Sequence, residues 1–277
     1  MRFWVSDAGG LVDAADARVS VLDHGFTVAD GVFETLKVVH GTAFALSRHL
    51  DRLERSAARM GLPIPHRDRV AAAVHETTEA NRNEVGPLGR LRITYTAGPG
   101  ELGSDRGEEA TTLVVAIAAT APWPDSAAVI TVPWPRNERS PLAGVKSTSY
   151  AENVLALSEA RRHGASEALM PDTRGRLCEG TGSNILVVID GVALTPTLET
   201  GCLPGITRAL ALEWCDIEER NLPIEALWEA SEIALMSSTR EIQPVHRVDD
   251  HAVAAPGPVI GPMAEAFRRR AAADVDP

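Results

Sequence analysis

Lysine is nearly missing from this chain: 25 arginines stand beside two lysines, Lys37 and Lys146. Cysteine is also scarce. Cys178, Cys202 and Cys215 are odd in number and lack metal-type spacing, which argues against a disulfide framework or a zinc site and for free thiols in a reducing cytoplasm. Basic charge is not in excess. The net charge of −11 argues against a binder of nucleic acid or of an anionic membrane surface, while leaving room for a local basic pocket. No apolar run approaches the roughly 20 residues that a spanning helix needs, and no basic-then-apolar leader opens the chain. What remains is an ordinary globular composition, 44% hydrophobic and 23% charged over 277 residues, enough for one large domain or two smaller ones.

Against that background Lys146, in the run L-A-G-V-K-S-T-S-Y-A-E-N, is the candidate reactive centre. A guanidinium stays charged, whereas a desolvated lysine amine loses its proton and forms a Schiff base. Base-composition bias explains lysine scarcity equally well, so the surrounding residues must decide.

The one compositional break is A-T-A-P-W-P-D-S-A. It predicts an N-terminal domain over 1–119, a linker at 120–127 and a C-terminal domain over 128–277. Phe33 to Val39 alternates in polarity and turns at His40-Gly41 into Thr42–Ala45, a hairpin. Ser47 is the expected N-cap of a helix carrying Leu50, Leu53, Ala57 and Met60, stopped by Gly61 and Pro63. A second helix is expected over about Asp68–Ala80, and strands over Arg90–Thr96 and Thr112–Ala119. Beyond the linker, a strand at Val129–Val132 precedes a helix after Lys146. Its expected apolar side is Val154, Leu155, Leu157 and Ala160. Asn184–Ile189 and Val192–Thr195 read as a second hairpin, Ile206–Trp214 as a helix, Glu232–Met236 as a buried strand, and Ile260–Ala272 as a closing helix. Helices and strands mix without strict βαβ alternation, which predicts an α+β fold.

Three further segments carry candidate chemistry. In C-E-G-T-G-S-N-I, residues 178–185, Glu179 can pair with a protonated heteroaromatic nitrogen, or stand as a plain loop carboxylate. L-P-G-I-T-R, residues 203–208, offers the N–H groups of a helix start and a hydroxyl to a phosphate, or is an ordinary proline turn. M-S-S-T-R-E-I, residues 236–242, completes a phosphate cup with Ser238 and Thr239, or is a polar turn.

Taken in order, these segments resemble the fold-type IV pyridoxal-phosphate enzymes, the class IV aminotransferase family. That family includes branched-chain and D-amino acid aminotransferases and 4-amino-4-deoxychorismate lyases. The resemblance runs from about Asp23 to Val248. D-H-G-F-T-V-A-D-G-V-F-E-T matches the opening signature, S-R-H-L-D-R-L the segment supplying a phosphate-binding arginine, and E-A-R-R-H-G-A-S-E-A-L with E-G-T-G-S-N-I-L the central block. It implies a two-domain D-amino acid aminotransferase-like architecture and pyridoxal 5'-phosphate as cofactor. Lys146 would bind that cofactor covalently and then shuttle the proton. Glu179 would pair with the ring nitrogen, Tyr150 would lie near the phenolate oxygen, and Leu203 would pack on the ring. Arg48, Ile206, Thr207, Ser238 and Thr239 would hold the phosphate. Phe33, Thr35 and Arg106 would face an amine or amino-acid substrate. The resemblance also implies a homodimer, and the free thiols a cytoplasmic one.

Within the family, R-N-E-R-S-P-L-A-G-V-K (136–146) and F-E-T (33–35) resemble the lyase, which releases pyruvate and 4-aminobenzoate, a folate precursor. The expectation is therefore the lyase first, an aminotransferase of branched-chain or D-amino acids second, and a non-catalytic cofactor binder last. One feature departs from the lyase pattern. Thr96-Ala97-Gly98 stands where T-R-G often places a carboxylate-gripping arginine, so that grip must come from Arg106, Arg92, Arg136 or Arg240.

Overall fold

The computed structural model describes residues 1–107 and 111–277. They divide into two compact units: Met1–Pro122 with Val145–Ser149 and Asp274–Pro277, and Trp123–Gly144 with Tyr150–Ala273. The expected linker thus contains the division, but two later segments return to the first unit. Backbone pairing draws the first of them back. Phe33 N–H donates to the Lys146 carbonyl at 2.9 Å and Thr148 N–H to Gly31 at 2.8 Å, so the lysine segment lies along the start of a strand of unit one.

Among its described residues, unit one holds β1 (Arg2–Val5), β2 (Gly10–Asp13), α1 (His24–Thr27), β3 (Gly31–Val39), β4 (Thr42–Ala43), α2 (Leu46–Arg59), α3 (Arg67–Ala80), α4 (Arg82–Val85), β5 (Leu88–Thr96) and β6 (Thr112–Ala119). The strands form one antiparallel sheet in the order β2-β1-β6-β5-β3-β4. Successive strand residues face opposite ways. Val32, Leu36 and Val38, Leu91, Ile93 and Tyr95, and Leu113, Val115 and Ile117 all enter one core with Leu50, Leu53 and Ala57 of α2 and Val70, Ala73 and Val74 of α3. Phe33, Thr35, Lys37, Arg90, Arg92 and Thr94 fall on the opposite face. The His40-Gly41 turn has positive φ at both residues, as a two-residue hairpin requires.

Ser47 is not the helix cap. Ala45 occupies that position in a left-handed conformation without a capping side chain. The carboxylate of Asp276 supplies the missing acceptors, taking the Ser47 N–H at 2.9 Å and its hydroxyl at 2.6 Å. An acceptor 229 residues away in sequence has replaced the local one.

Unit two holds β7 (Ala127–Thr131), α5 (Ala151–Arg162), β8 (Glu167–Pro171), β9 (Leu177–Gly180), β10 (Asn184–Ile189), β11 (Val192–Thr195), α6 (Ile206–Trp214), β12 (Glu218–Glu219), α7 (Ala226–Glu229), β13 (Glu232–Ser237), β14 (Glu241–Val248), β15 (His251–Ala252) and α8 (Ile260–Ala273). Its mixed sheet runs β12-β11-β10-β13-β14-β7-β8-β9, with β15 beside β14. Helices α6 and α8 pack on β13, α8 also on β14, and α5 on β8. The apolar face of α5 differs from expectation: Val154 and Leu155 are 61% and 64% exposed, whereas Asn153, Ala156 and Ala160 are buried. Small side chains let α5 lie close to Ile130, Val132, Ala168 and Met170. Asn153 turns inward because its Nδ2 donates to the Thr181 carbonyl at 2.6 Å. Among the described residues, no helix is long and apolar enough to cross a membrane.

Candidate active site

The candidate residues divide between the units. In unit one, Lys146 Nζ lies 4.4 Å from the centre of the Phe33 ring, and the Arg92 guanidinium carbon lies 3.7 Å from the same centre. Thr35 is half-buried and pairs in register with Arg92.

On the other face of β3, Glu34 is fully buried. Helix α2 brings His49 and Arg52, three residues apart and therefore on one face, to its carboxylate. Arg52 donates through Nε to Oε1 at 2.8 Å and through Nη2 to Oε2 at 2.6 Å, a bidentate pair. His49 Nδ1 lies 2.6 Å from Oε2. Burial pushes the Glu34 carboxyl up, but Arg52 and His49 together outweigh it and hold it at about 2. Burial lowers His49, and the Arg52 and Lys146 cations lower it further against the pull of Glu34. An ionised carboxylate only accepts hydrogen bonds, so a neutral His49 carries its proton on Nδ1 and donates it to Glu34.

Arg48, expected at the phosphate, donates through Nε to the Pro277 carbonyl at 2.7 Å and is half-buried. One turn further along, Arg52 is the arginine of α2 that the core encloses. Arg106, expected at the substrate, grips Asp30 with two donors at 2.5 and 2.6 Å and the Gly61 carbonyl with a third at 2.9 Å. That geometry makes it a strut for the loop following β5.

In unit two, Glu179 ends β9 in a nearly closed environment. Its Oε2 accepts the Leu203 N–H at 2.9 Å and its Oε1 accepts Arg136 Nε at 3.1 Å. Each carboxylate oxygen can take two donors. Arg136 is steadied in turn by Asn153 Oδ1 at 3.3 Å. The observed contribution of Leu203 is its backbone: its carbonyl accepts Asn184 Nδ2 at 2.8 Å. Tyr150 sits half-buried at the N-cap of α5.

The segment before α6 is shaped tightly. A Cβ on Gly205 would fall 2.0 Å from Asn184 Oδ1, so only glycine fits. No side chain caps α6. Such a helix start, with the buried Thr207, suits an anion.

The turn 238–240 is tied to the turn 181–183. Glu167 accepts the Thr181 hydroxyl at 2.6 Å, the Gly182 N–H and Arg240 Nη2 at 2.8 Å. Arg240 also lies on the Trp123 ring at 3.7 Å, and Trp123 Nε1 reaches Thr239 Oγ1 at 3.4 Å. Ser238 shares this turn. Burial, then Glu179, pushes the Cys178 thiol up and the Cys202 thiol to about 11, so both stay neutral.

Glu34, His49, Arg52, Asn184 and Glu167 were not singled out from sequence. One signal was available: His49, Arg52 and Ser56 share the helical face of Leu50 and Leu53, and a buried arginine demands a buried carboxylate.

A buried carboxylate held by an arginine and a backbone amide, and a glycine-cradled helix start, fit the ring nitrogen and the phosphate of a pyridine cofactor. Comparison with known proteins agrees. Residues 31–248 match the family described as amino-transferase class IV, and the chain belongs to it. A Methanocaldococcus jannaschii protein, provisionally named a branched-chain-amino-acid aminotransferase, is 34% identical over 88% of each chain. The branched-chain aminotransferase of Thermoproteus uzoniensis, solved with norvaline, superposes with a TM-score of 0.90 at 29% identity, covering 97% of this chain and 94% of that one. A hypothetical aminotransferase from Mycobacterium tuberculosis in its PLP-bound form gives 0.86 at 27% identity over 97% and 98%. The fold is that of the fold-type IV enzymes, the cofactor is pyridoxal phosphate, and the protein is an aminotransferase or lyase of this class.

Proposed function

We propose that this protein is an aminotransferase that moves an amino group between an amino acid and a keto acid. The observation that carries this reading is Glu179, clamped by Arg136 and the Leu203 amide just ahead of the start of α6, which no side chain caps. The 34% identical relative, provisionally named for branched-chain amino acids, supports transfer over elimination.

Bound to a lysine amine, pyridoxal phosphate makes the substrate's amine-bearing carbon acidic by drawing charge into its ring. The chain's own groups do the rest. Lys146 holds the cofactor and moves the proton. Arg136 donates to Glu179 and steadies it, and Glu179 would accept the ring N–H, which keeps the ring protonated. The N–H groups of Ile206 and Thr207, the Thr207 hydroxyl and the turn of Ser238 and Thr239 hold the phosphate. Of Arg48 and Arg52 on α2, Arg52 is the better built for that anion, because Glu34 fixes its fork in the interior while Arg48 turns to Pro277. Tyr150 and Leu203 keep their proposed places at the phenolate oxygen and the ring face, and Phe33 and Thr35 theirs at the substrate. A homodimer is proposed as well, supported by Val21 and Phe26, which stand 75% and 73% exposed in one segment. Sedimentation of the holoenzyme reads it directly.

The lyase remains a second reading, favoured by the segment 136–146, whose Arg136 seats on Glu179, and by Phe33-Glu34-Thr35. The test is spectroscopic. L-leucine, L-glutamate or D-alanine should bleach the yellow aldehyde absorption of the holoenzyme and release the matching keto acid. Release of 4-aminobenzoate from aminodeoxychorismate, with no bleaching by amino acids, would establish the lyase. Neither response would mark a cofactor-binding protein without catalysis.

A further inference from the structure

Unit two carries a buried ion pair that packing alone does not explain. Glu167 opens β8, and Arg240 closes the turn that follows β13. Their side chains are 3% and 5% exposed, and Arg240 Nη2 donates to Glu167 Oε2 at 2.8 Å. Replacing such a pair by apolar side chains of similar volume is often neutral or stabilising, so stability gives no reason to keep it. Its place in the sheet gives one. The ladder of β10 on β13 ends with Asn184 opposite Met236, and that of β13 on β14 with Ser237 opposite Glu241. Turns 181–183 and 238–240 therefore lie side by side at one end of the sheet.

Arg240 ties these turns together. Its partner Glu167 takes the Thr181 hydroxyl at 2.6 Å and the Gly182 N–H through the other carboxylate oxygen. Arg240 Nη1 donates to Gln243 Oε1 at 2.6 Å, and Gln243 Nε2 donates to the Pro124 carbonyl at 2.7 Å. The guanidinium carbon lies 3.7 Å from the centre of the Trp123 ring, and Trp123 Nε1 donates to Thr239 Oγ1 at 3.4 Å. A hydroxyl that accepts one bond still has its own proton to give, so this contact aims Thr239 without silencing it. The fork of Arg240 thus turns inward, which argues against its reading as a substrate-carboxylate grip. The tied turn also contains Ser183, 7% exposed, whose hydroxyl has no hydrogen-bond partner among the described residues. Such orphaned hydroxyls are rare in native interiors, and this one points to a ligand beside the turn.

We propose that Arg240 is a positioning residue for the cofactor's phosphate. It fixes turn 238–240 against turn 181–183, so that Ser238 and Thr239 meet the phosphate already in place. Binding to donors set in advance avoids the cost of ordering the turn. The inference rests on turn 238–240 being part of the phosphate cup, and not on whether the protein transfers or eliminates.

The test loads the full chain by dialysis against pyridoxal phosphate or against pyridoxal, which lacks the phosphate. Wild type is compared with Arg240→Lys, Arg240→Gln and the double variant Glu167→Gln with Arg240→Gln, which strands no charge if the single change unfolds the protein. Circular dichroism checks the fold, and phosphorus NMR of the loaded enzymes reads the phosphate's surroundings. Arg240→Gln and the double variant should weaken pyridoxal phosphate about tenfold or more, leave pyridoxal within about twofold, and move the phosphorus resonance. Arg240→Lys, keeping the charge without the planar fork, should fall between. Equal weakening of both ligands in the folded variants, or unchanged discrimination, overturns the proposal. Wild type that binds both ligands alike would end the phosphate-cup reading and this inference with it. If wild type transfers no amino group yet its discrimination depends on Arg240, the aminotransferase reading fails and the positioning role stands.

Discussion

Replacing Glu34 by glutamine changes one carboxylate oxygen into an NH2 group and little else in volume. It leaves Arg52, 3% exposed, without its counter-charge, and leaves His49 Nδ1 without an ionised acceptor. Breaking a buried pair from one side costs about 3–5 kcal/mol. The depression of Glu34 from 4.5 to about 2 gives an independent figure of about 3 kcal/mol. A loss of about 3 kcal/mol is therefore expected at neutral pH, read by urea unfolding of the cofactor-saturated protein. The pH dependence follows in sign. A carboxyl with a lowered folded pKa contributes stability above its unfolded value, and that contribution drains away as pH falls from about 4.5 towards 2. His49, also lowered, adds to the loss from about pH 6.5 downward, because the unfolded chain then binds a proton that the native chain refuses. Glu34→Gln should flatten the lower part of this profile. The paired change Glu34→Leu with Arg52→Met should recover much of the stability while weakening cofactor retention, since an apolar pair replaces an ion pair without leaving a stranded charge. A cost under about 1 kcal/mol for Glu34→Gln, with an acid profile parallel to wild type, would refute the reasoning.

Three further outcomes are expected. Asp276→Ala removes the distant cap of α2 and should cost about 1 kcal/mol by the same unfolding assay. Gly205→Ala drives a methyl into Asn184 and should cost about 1–3 kcal/mol together with more than tenfold in cofactor affinity by equilibrium dialysis, whereas an alanine at Gly175, whose surroundings are open, should leave cofactor affinity alone. Glu179→Gln should retain the fold and bind cofactor, yet slow amino-acid-driven bleaching by about a hundredfold, because a neutral amide no longer sustains ring protonation.

Period-two and helical patterns placed the hairpin at His40-Gly41, strands β5, β6 and β10, and helices α3, α6 and α8, because in each a single apolar face or run meets the core. The same reasoning misplaced the buried face of α5. There, hydrophobicity pointed to Val154 and Leu155, but close approach favoured alanines and an asparagine with a backbone acceptor. The cap of α2 was illegible for a different reason: Asp276 acts from the far end of the chain, and no local window contains it. At the candidate site, motif chemistry singled out Lys146 and Glu179, whose short segments suggest their roles without help from the rest of the chain. It did not find Glu34 and Arg52, whose meaning lies in a pairing across two elements. Arg106 looked like a substrate clamp until Asp30 and Gly61 accounted for three of its donors.

The central claim is that one amine of this chain carries the cofactor, and the near absence of lysine makes it directly testable. The yellow holoenzyme is reduced with borohydride, digested, and its labelled peptide located by mass spectrometry. The account requires the cofactor on Lys146 and none on Lys37. Label on Lys37, or a protein that binds pyridoxal phosphate with neither lysine modified, would contradict it.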